Sequence, residues 1–176
     1  MLDPGAGQPA LNVDPNIASD VGIGSFIQRI GDFIVDLLDE EDGARKGHAI
    51  KDHVNRTDDW LRARIRDSYE DRLGIFFETD TRAGTFPSVE AANKLINSIL
   101  SRNLDVLTEV AAPRLRRVAL KAFFGSPTGR EAYTVDSWKR NAPIFFRTTY
   151  GAAVVIIHDK RRAKGYSVLT AFPIFD

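Results

Sequence analysis

The sequence predicts an α+β domain in which N-terminal helices pack on a C-terminal antiparallel sheet. Up to about residue 124, apolar residues recur at helical spacing behind Ser and Thr caps. From 144 to 173 they form three β-branched and aromatic runs, IFFRTTYG, AAVVIIHD and GYSVLTAFP, divided by glycine and charged turns. Helices first and sheet last is the α+β arrangement. A length of 176 residues, 43% of them hydrophobic and 27% charged, suits one core and argues against two independent domains.

Taken in order, residues 1–24 hold Pro4, Gly5, Gly7, Pro9, Pro15, Gly22 and Gly24 and read as a linker or tether. Ser25 and Gln28 form a capping box ahead of Phe26, Ile30, Phe33, Ile34, Leu37 and Leu38, which predicts an amphipathic helix over 25–39 in an acidic segment, 25–42. The acidic run 39–42 suits a helix C-terminus poorly, because the dipole there favours cations, so it ends the helix or faces a basic surface. The main domain is then 43–176.

A short helix over 44–54 carries His48 and His53; five positions are about 140° of helical rotation, so the two imidazoles are expected on different faces. Thr57 caps a helix reaching to about Glu70, with Asp58 and Asp59 in its first turn and Arg64 one turn beyond Trp60, where the guanidinium can rest on the indole. The run LGIFFET, 73–79, reads as a strand. After Thr85, Phe86 and Pro87, Ser88 caps a helix with Ala92, Leu95, Ile96 and Ile99 on its apolar stripe. Residues 104–124 read as helix interrupted at Pro113 and closed by Gly125, with Arg114, Arg116, Arg117 and Lys121 on a basic face. The last three runs form a meander of antiparallel strands, with DKRRAK, 159–164, as the final hairpin loop.

Charge is unevenly placed within a net charge of zero. Residues 1–44 carry nine acids against Arg29, net −8, so 45–176 carry 23 bases and 15 acids, net +8. A basic body suits a polyanion such as RNA, and equally a solvated surface that the acidic arm balances. With no cysteine there is no disulfide, thiol nucleophile or cysteine-ligated metal, and stability must come from packing. No apolar run approaches bilayer-spanning length, and MLDPGAGQPALNVDP lacks the plan of a signal peptide, so stable membrane insertion is not expected and export would depend on something outside this sequence.

The stretch GHAIKDHVNRTDDWLRAR, 47–64, concentrates the candidate chemistry. His53 is a candidate acid/base because histidines are few and titrate near neutrality, although a lone helical histidine is more often a packing residue. Gly47-His48, His53-Val54, Thr57, Leu61 and Arg64, then Thr85-Phe86, Gly165-Tyr166 and Thr170-Ala171-Phe172-Pro173, together resemble the bacterial RNase A-like toxin domain found at the tips of CdiA-type contact-dependent inhibition proteins and other polymorphic toxins. The resemblance covers about 43–173. It implies a kidney-shaped, RNase A-like fold without disulfides, a metal-independent endoribonuclease needing no cofactor, a cognate immunity protein, and a larger delivery protein or secretion system that carries the toxin into a target cell's cytoplasm. RNA, with tRNA among the candidates, is the implied substrate.

Residue by residue, the resemblance makes His53 the catalytic histidine, Arg64 the catalytic arginine and Thr170 the threonine of a T-A-Y-P motif whose tyrosine is Phe172 here. Whatever proton donation or phosphate contact that hydroxyl makes is here absent or supplied by another group, such as Tyr166 or His48; for the group that protonates the leaving 5′-oxygen, His48, His158 and Tyr166 are open candidates. Thr85 either touches the site or caps a turn. An NAD-hydrolysing or ADP-ribosylating toxin is the enzymatic rival, weakened by the lack of a glycine-rich phosphate loop after a strand. A metal hydrolase built on His48 and His53 is weaker still, with no H-E-x-x-H pattern. An RNA- or protein-binding module with an impaired site is the non-enzymatic rival.

Overall fold

The computed structural model describes residues 35–68, 80–136, 139 and 141–175. The expected linker 1–24, the strand over 73–79 and most of the helix over 25–39 lie outside them. The described helices are α1 (Leu37–Glu40), α2 (Ala49–His53), α3 (Asp58–Asp67), α4 (Val89–Ser101) and α5 (Leu104–Ala111). The strands are β1 (Arg82–Thr85), β2 (Arg117–Phe123), β3 (Gly129–Tyr133), β4 (Phe145–Thr149), β5 (Gly151–His158) and β6 (Tyr166–Ile174). They pair into two antiparallel three-stranded sheets, ordered β1-β3-β4 and β2-β5-β6.

The α+β class holds, and three local expectations need correction. The helix expected over 25–39 does not pass through Asp36, which is extended and accepts a hydrogen bond from Leu38 N, so it caps α1 instead. Asn93 and Asn97 of α4 take the backbone N–H groups of Leu37 and Val35, both at 2.9 Å, diverting them from a helical ladder. The second half of the stretch 104–124 is strand β2 rather than a second helix. Its alternation puts Val118, Leu120 and Ala122 against the main core and leaves Arg117, Ala119, Lys121 and Phe123 exposed. The apolar central strand β5 supplies seven register partners, from Arg117 opposite Ile157 to Phe123 opposite Gly151, and overrides helical propensity. Finally, the meander is split: β5 and β6 form the expected hairpin, but β4 pairs with β3, a polar strand that the hydrophobic pattern concealed.

Thr57 and Ser88 cap α3 and α4 as expected, accepting from Trp60 N at 3.2 Å and Ala91 N at 3.0 Å. The larger core lies between α1, α2, α4 and α5 and the inner face of β2-β5-β6, with Phe86, Ile96, Ile99, Leu107, Val154 and Tyr166 fully buried in it. Burial of each large aliphatic chain contributes about 1.5–3 kcal/mol. A smaller core joins Leu61 and Ile65 of α3 to Ala83 of β1 and Ala132 of β3.

The acidic run meets a basic surface of its own chain. Glu40 is buried and accepts from Lys164 Nζ and, at 3.0 Å, from Val168 N, with Arg162 at 3.7 Å. Glu41 reaches the start of α2, accepting from Ile50 N at 2.9 Å and Lys51 N at 2.8 Å. Between them the chain turns back on itself, and Gly47 sits so close to the Glu40 carbonyl that any Cβ there would collide with it. The helix expected from residue 44 therefore starts only at Ala49.

Candidate active site

Helix α2 is fixed at both ends, and this sets the directions of its histidines. His48 N donates to Leu169 O of β6 at 3.0 Å, while Phe86 N donates to His53 O at 2.8 Å and Asn55 N to Phe86 O at 2.9 Å. His48, whose side chain makes no capping bond, leaves that role to Glu41. His53 then lies between β1 and β6, and Arg64 reaches in from α3. They line a cleft of about 530 Å3 with Thr170 and Phe172 of β6, His48, Trp60 and Lys121.

His53 is half-buried, and its Nδ1 faces the Gly84 carbonyl at 3.1 Å. A carbonyl can only accept, so Nδ1 carries the proton and Nε2 keeps its lone pair in the neutral ring. Burial lowers the His53 pKa below its ordinary 6.5; the Gly84 bond and Asp52 oppose that shift, while the charges of Arg64 and His48 reinforce it. Phe172 stands against the imidazole, ring centroids 5.4 Å apart and planes tilted by 46°. Where the resembled motif has a hydroxyl, this chain has an apolar wall that favours the uncharged ring.

Arg64 is held loosely, with Nε 3.3 Å from Asp80 Oδ2, one Nη 3.6 Å from Asp52 Oδ2, and Cζ 6.0 Å from the centroid of Trp60. A guanidinium has five N–H groups in a planar fork, so these contacts orient it and leave donors for an anion. Thr170 is 8% exposed, yet its Oγ1 is buried without a hydrogen-bond partner. An unsatisfied buried hydroxyl costs about 1–3 kcal/mol.

The remaining candidates divide. The two histidines do line one cleft, contrary to the helical-wheel expectation, because His48 precedes the helix and its backbone (φ −145°, ψ 24°) is not helical. Its Nδ1 faces Lys46 O at 3.0 Å. Tyr166 is fully buried in the larger core, where burial and then the Glu40 charge push its pKa up, and it does not line the cleft. His158 turns its Nδ1 to Val110 O at 2.9 Å, away from these residues. Thr85 accepts from Arg56 N at 2.9 Å and donates to Phe86 O at 3.1 Å, holding the turn after α2.

Sequence reading missed Lys121, Phe123, Arg82 and Phe175 in the cleft wall. For the first two, the period-2 alternation of RVALKAF was the available signal. Among the described residues, no group of three or more His, Asp or Glu side chains is placed to hold a metal ion, and no helix is long and apolar enough to cross a membrane.

Comparison with known proteins finds the family model "Bacterial CdiA-CT RNAse A domain" matching residues 47–173. A solved structure, a CdiA-CT/CdiI complex from Y. kristensenii, aligns with a TM-score of 0.54 at 16% identity, covering 73% of this chain and 99% of that one. At that identity the likeness speaks for the fold. No curated protein matches.

Proposed function

The chain belongs to the bacterial CdiA-CT RNase A domain family, a ribonuclease-type toxin class of contact-dependent inhibition, and on that premise we propose that it is a metal-independent endoribonuclease acting through His53, Arg64 and Thr170. The observation that carries this is the convergence of His53, with its Nε2 lone pair free, Arg64 and Thr170 on one cleft.

His53 Nε2 takes the proton from a ribose 2′-OH as that oxygen attacks the adjacent phosphorus. Negative charge grows on the non-bridging oxygens, where the Arg64 fork and the Thr170 hydroxyl donate. The P–O5′ bond breaks, the 5′-oxygen leaves with a proton from His48, and a 2′,3′-cyclic phosphate remains. A base must be neutral to accept the proton, and burial lowers the His53 pKa in that direction, with the charges of Arg64 and His48 adding to it. Of the three donors left open by the sequence, His48 is the one lining the cleft.

The net +8 body supplies non-specific phosphate affinity, so RNA binding should fall steeply with added salt; a flat response would remove RNA as the ligand. An immunity protein, by analogy with the CdiI of the structural neighbour, would protect the producing cell. Delivery into a target cell's cytoplasm, with 1–24 as the tether to a larger protein, completes the reading.

Incubation of the protein with total RNA in excess EDTA, beside His53→Ala and Arg64→Ala, tests it. Cleavage by the parent alone, leaving cyclic-phosphate ends, is expected. Intact RNA in every lane would favour the binding-module reading, for which Phe172 in place of tyrosine is the motivating residue, or the NAD-directed one.

A further inference from the structure

The two faces of the β2-β5-β6 sheet differ in more than burial. On the cleft side, register places Lys121, Ala153 and Phe172 side by side, and next to them Phe123, Gly151 and Ile174. The central strand thus contributes only a methyl group and a hydrogen at these two positions, and the larger side chains on either side, which line the cleft, close over it. A Cβ on Gly151 would lie 2.7 Å from the Phe123 ring and from Ile174 Cγ1, so the phenyl ring leans over bare backbone.

Seven large apolar side chains are exposed among the described residues, and two of them, Phe123 at 44% and Phe175 at 37%, line this cleft. Each is fixed from one side. Phe123 rests over Gly151 with Lys121 Nζ 6.0 Å from its centroid, and Phe175 has the Arg147 guanidinium 3.8 Å from its own. Arg147 is itself locked by the buried Glu131, at 3.1 and 2.6 Å, so the Phe175 ring has a rigid backing.

Exposed aromatic rings beside cations in this cleft suit a flat aromatic base joined to phosphate. We propose that Phe123 and Phe175 form a stacking subsite for unpaired RNA bases flanking the cleaved bond. This inference rests on the ribonuclease reading and adds a requirement to it, that the substrate be single-stranded. A paired base has both faces occupied by its neighbours and cannot stack on these rings, whereas an unpaired one stacks without regard to its identity.

The test uses a single-stranded 2′-O-methyl-RNA hexamer, which lacks the attacking hydroxyl, and an abasic backbone of equal length, with affinities read by fluorescence anisotropy. Phe123→Leu and Phe175→Leu should each weaken hexamer binding roughly 5- to 150-fold, the range for losing one stacked base, and leave the abasic backbone unaffected. Phe123→Tyr and Phe175→Tyr, which keep the π face, should bind within about twofold of the parent. The parent should prefer the hexamer to its abasic counterpart and to the same sequence held in a duplex, a measurement independent of how any variant folds. Leucine variants that bind the hexamer as tightly as the parent, or a parent indifferent to the bases, would overturn the subsite. If such a parent still cleaves RNA, only the subsite falls; a parent that neither binds nor cleaves RNA removes the ribonuclease reading with it. Loss of immunity-protein capture with unchanged hexamer affinity would assign the two rings to a protein contact instead.

Discussion

Strands β5 and β6 carry a hairpin at one end and the cleft at the other, and the two ends treat their polar groups in opposite ways. At the hairpin every buried charge has partners: Glu40 takes Lys164, Arg162 and Val168 N, and Asp159 takes Arg161, Arg45 and Ser167. In the cleft the buried Thr170 hydroxyl has none, Arg64 is held loosely, and two phenyl rings face outward. Glu131 in the cleft wall is partnered by Arg147, and Arg56 Nε, outside that wall, is also buried without a partner; what sets the cleft apart is that its open hydroxyl lies with a loosely held cation and exposed rings.

Breaking the hairpin end should give the largest change in stability. Glu40→Ala leaves Lys164 and Val168 N without their carboxylate and should cost about 3–5 kcal/mol, read from urea unfolding. If it costs less than about 1 kcal/mol, the hairpin is an ordinary surface ion pair and the contrast fails. Thr170→Val should do the reverse. It removes the orphan hydroxyl at nearly constant shape, so stability should be unchanged or rise by up to about 1 kcal/mol while single-turnover cleavage drops about 10²- to 10³-fold. A destabilised but fully active Thr170→Val would make the hydroxyl structural.

The pH response sharpens the same contrast. His53 has a lowered pKa, so its neutral form persists below pH 6.5, and the acid limb of kcat/KM should have its midpoint under that value. The folded state also binds fewer protons there than the unfolded one, so stability should decline as pH falls from 6.5 through the depressed value. His53→Gln should abolish cleavage and remove this pH-dependent loss of stability. At the hairpin, burial alone would raise the Asp159 pKa, but hydrogen bonds from Arg161 and Ser167 carry it down to about 2. Its contribution is complete above its ordinary 3.8 and is lost as pH falls through about 2, a step that Asp159→Asn should remove from acid unfolding curves.

Much of this was legible in the linear chain. Caps at Thr57 and Ser88, the stripe of α4, the β5–β6 hairpin and the α+β class all rest on local rules, in which a residue's neighbours a few positions away decide its state. The segments bearing His53, Arg64 and Thr170 were singled out by their resemblance to a known family, with the scarcity of histidine adding to it for His53 alone.

Tertiary structure decided what depends on partners far along the chain. Residues 117–123 became a strand because β5 offered a full ladder, and that placed Lys121 and Phe123 in the cleft. The histidines came to share a wall because Leu169, Phe86 and Glu41 pin α2, a constraint that no helical wheel contains. Tyr166 left the site because its ring completes the larger core. The sequence by itself determined the caps, the apolar stripes, the β5–β6 hairpin and which reactive side chains the chain holds, because local spacing decides these; long-range hydrogen bonds and burial determined which of those side chains meet in the cleft.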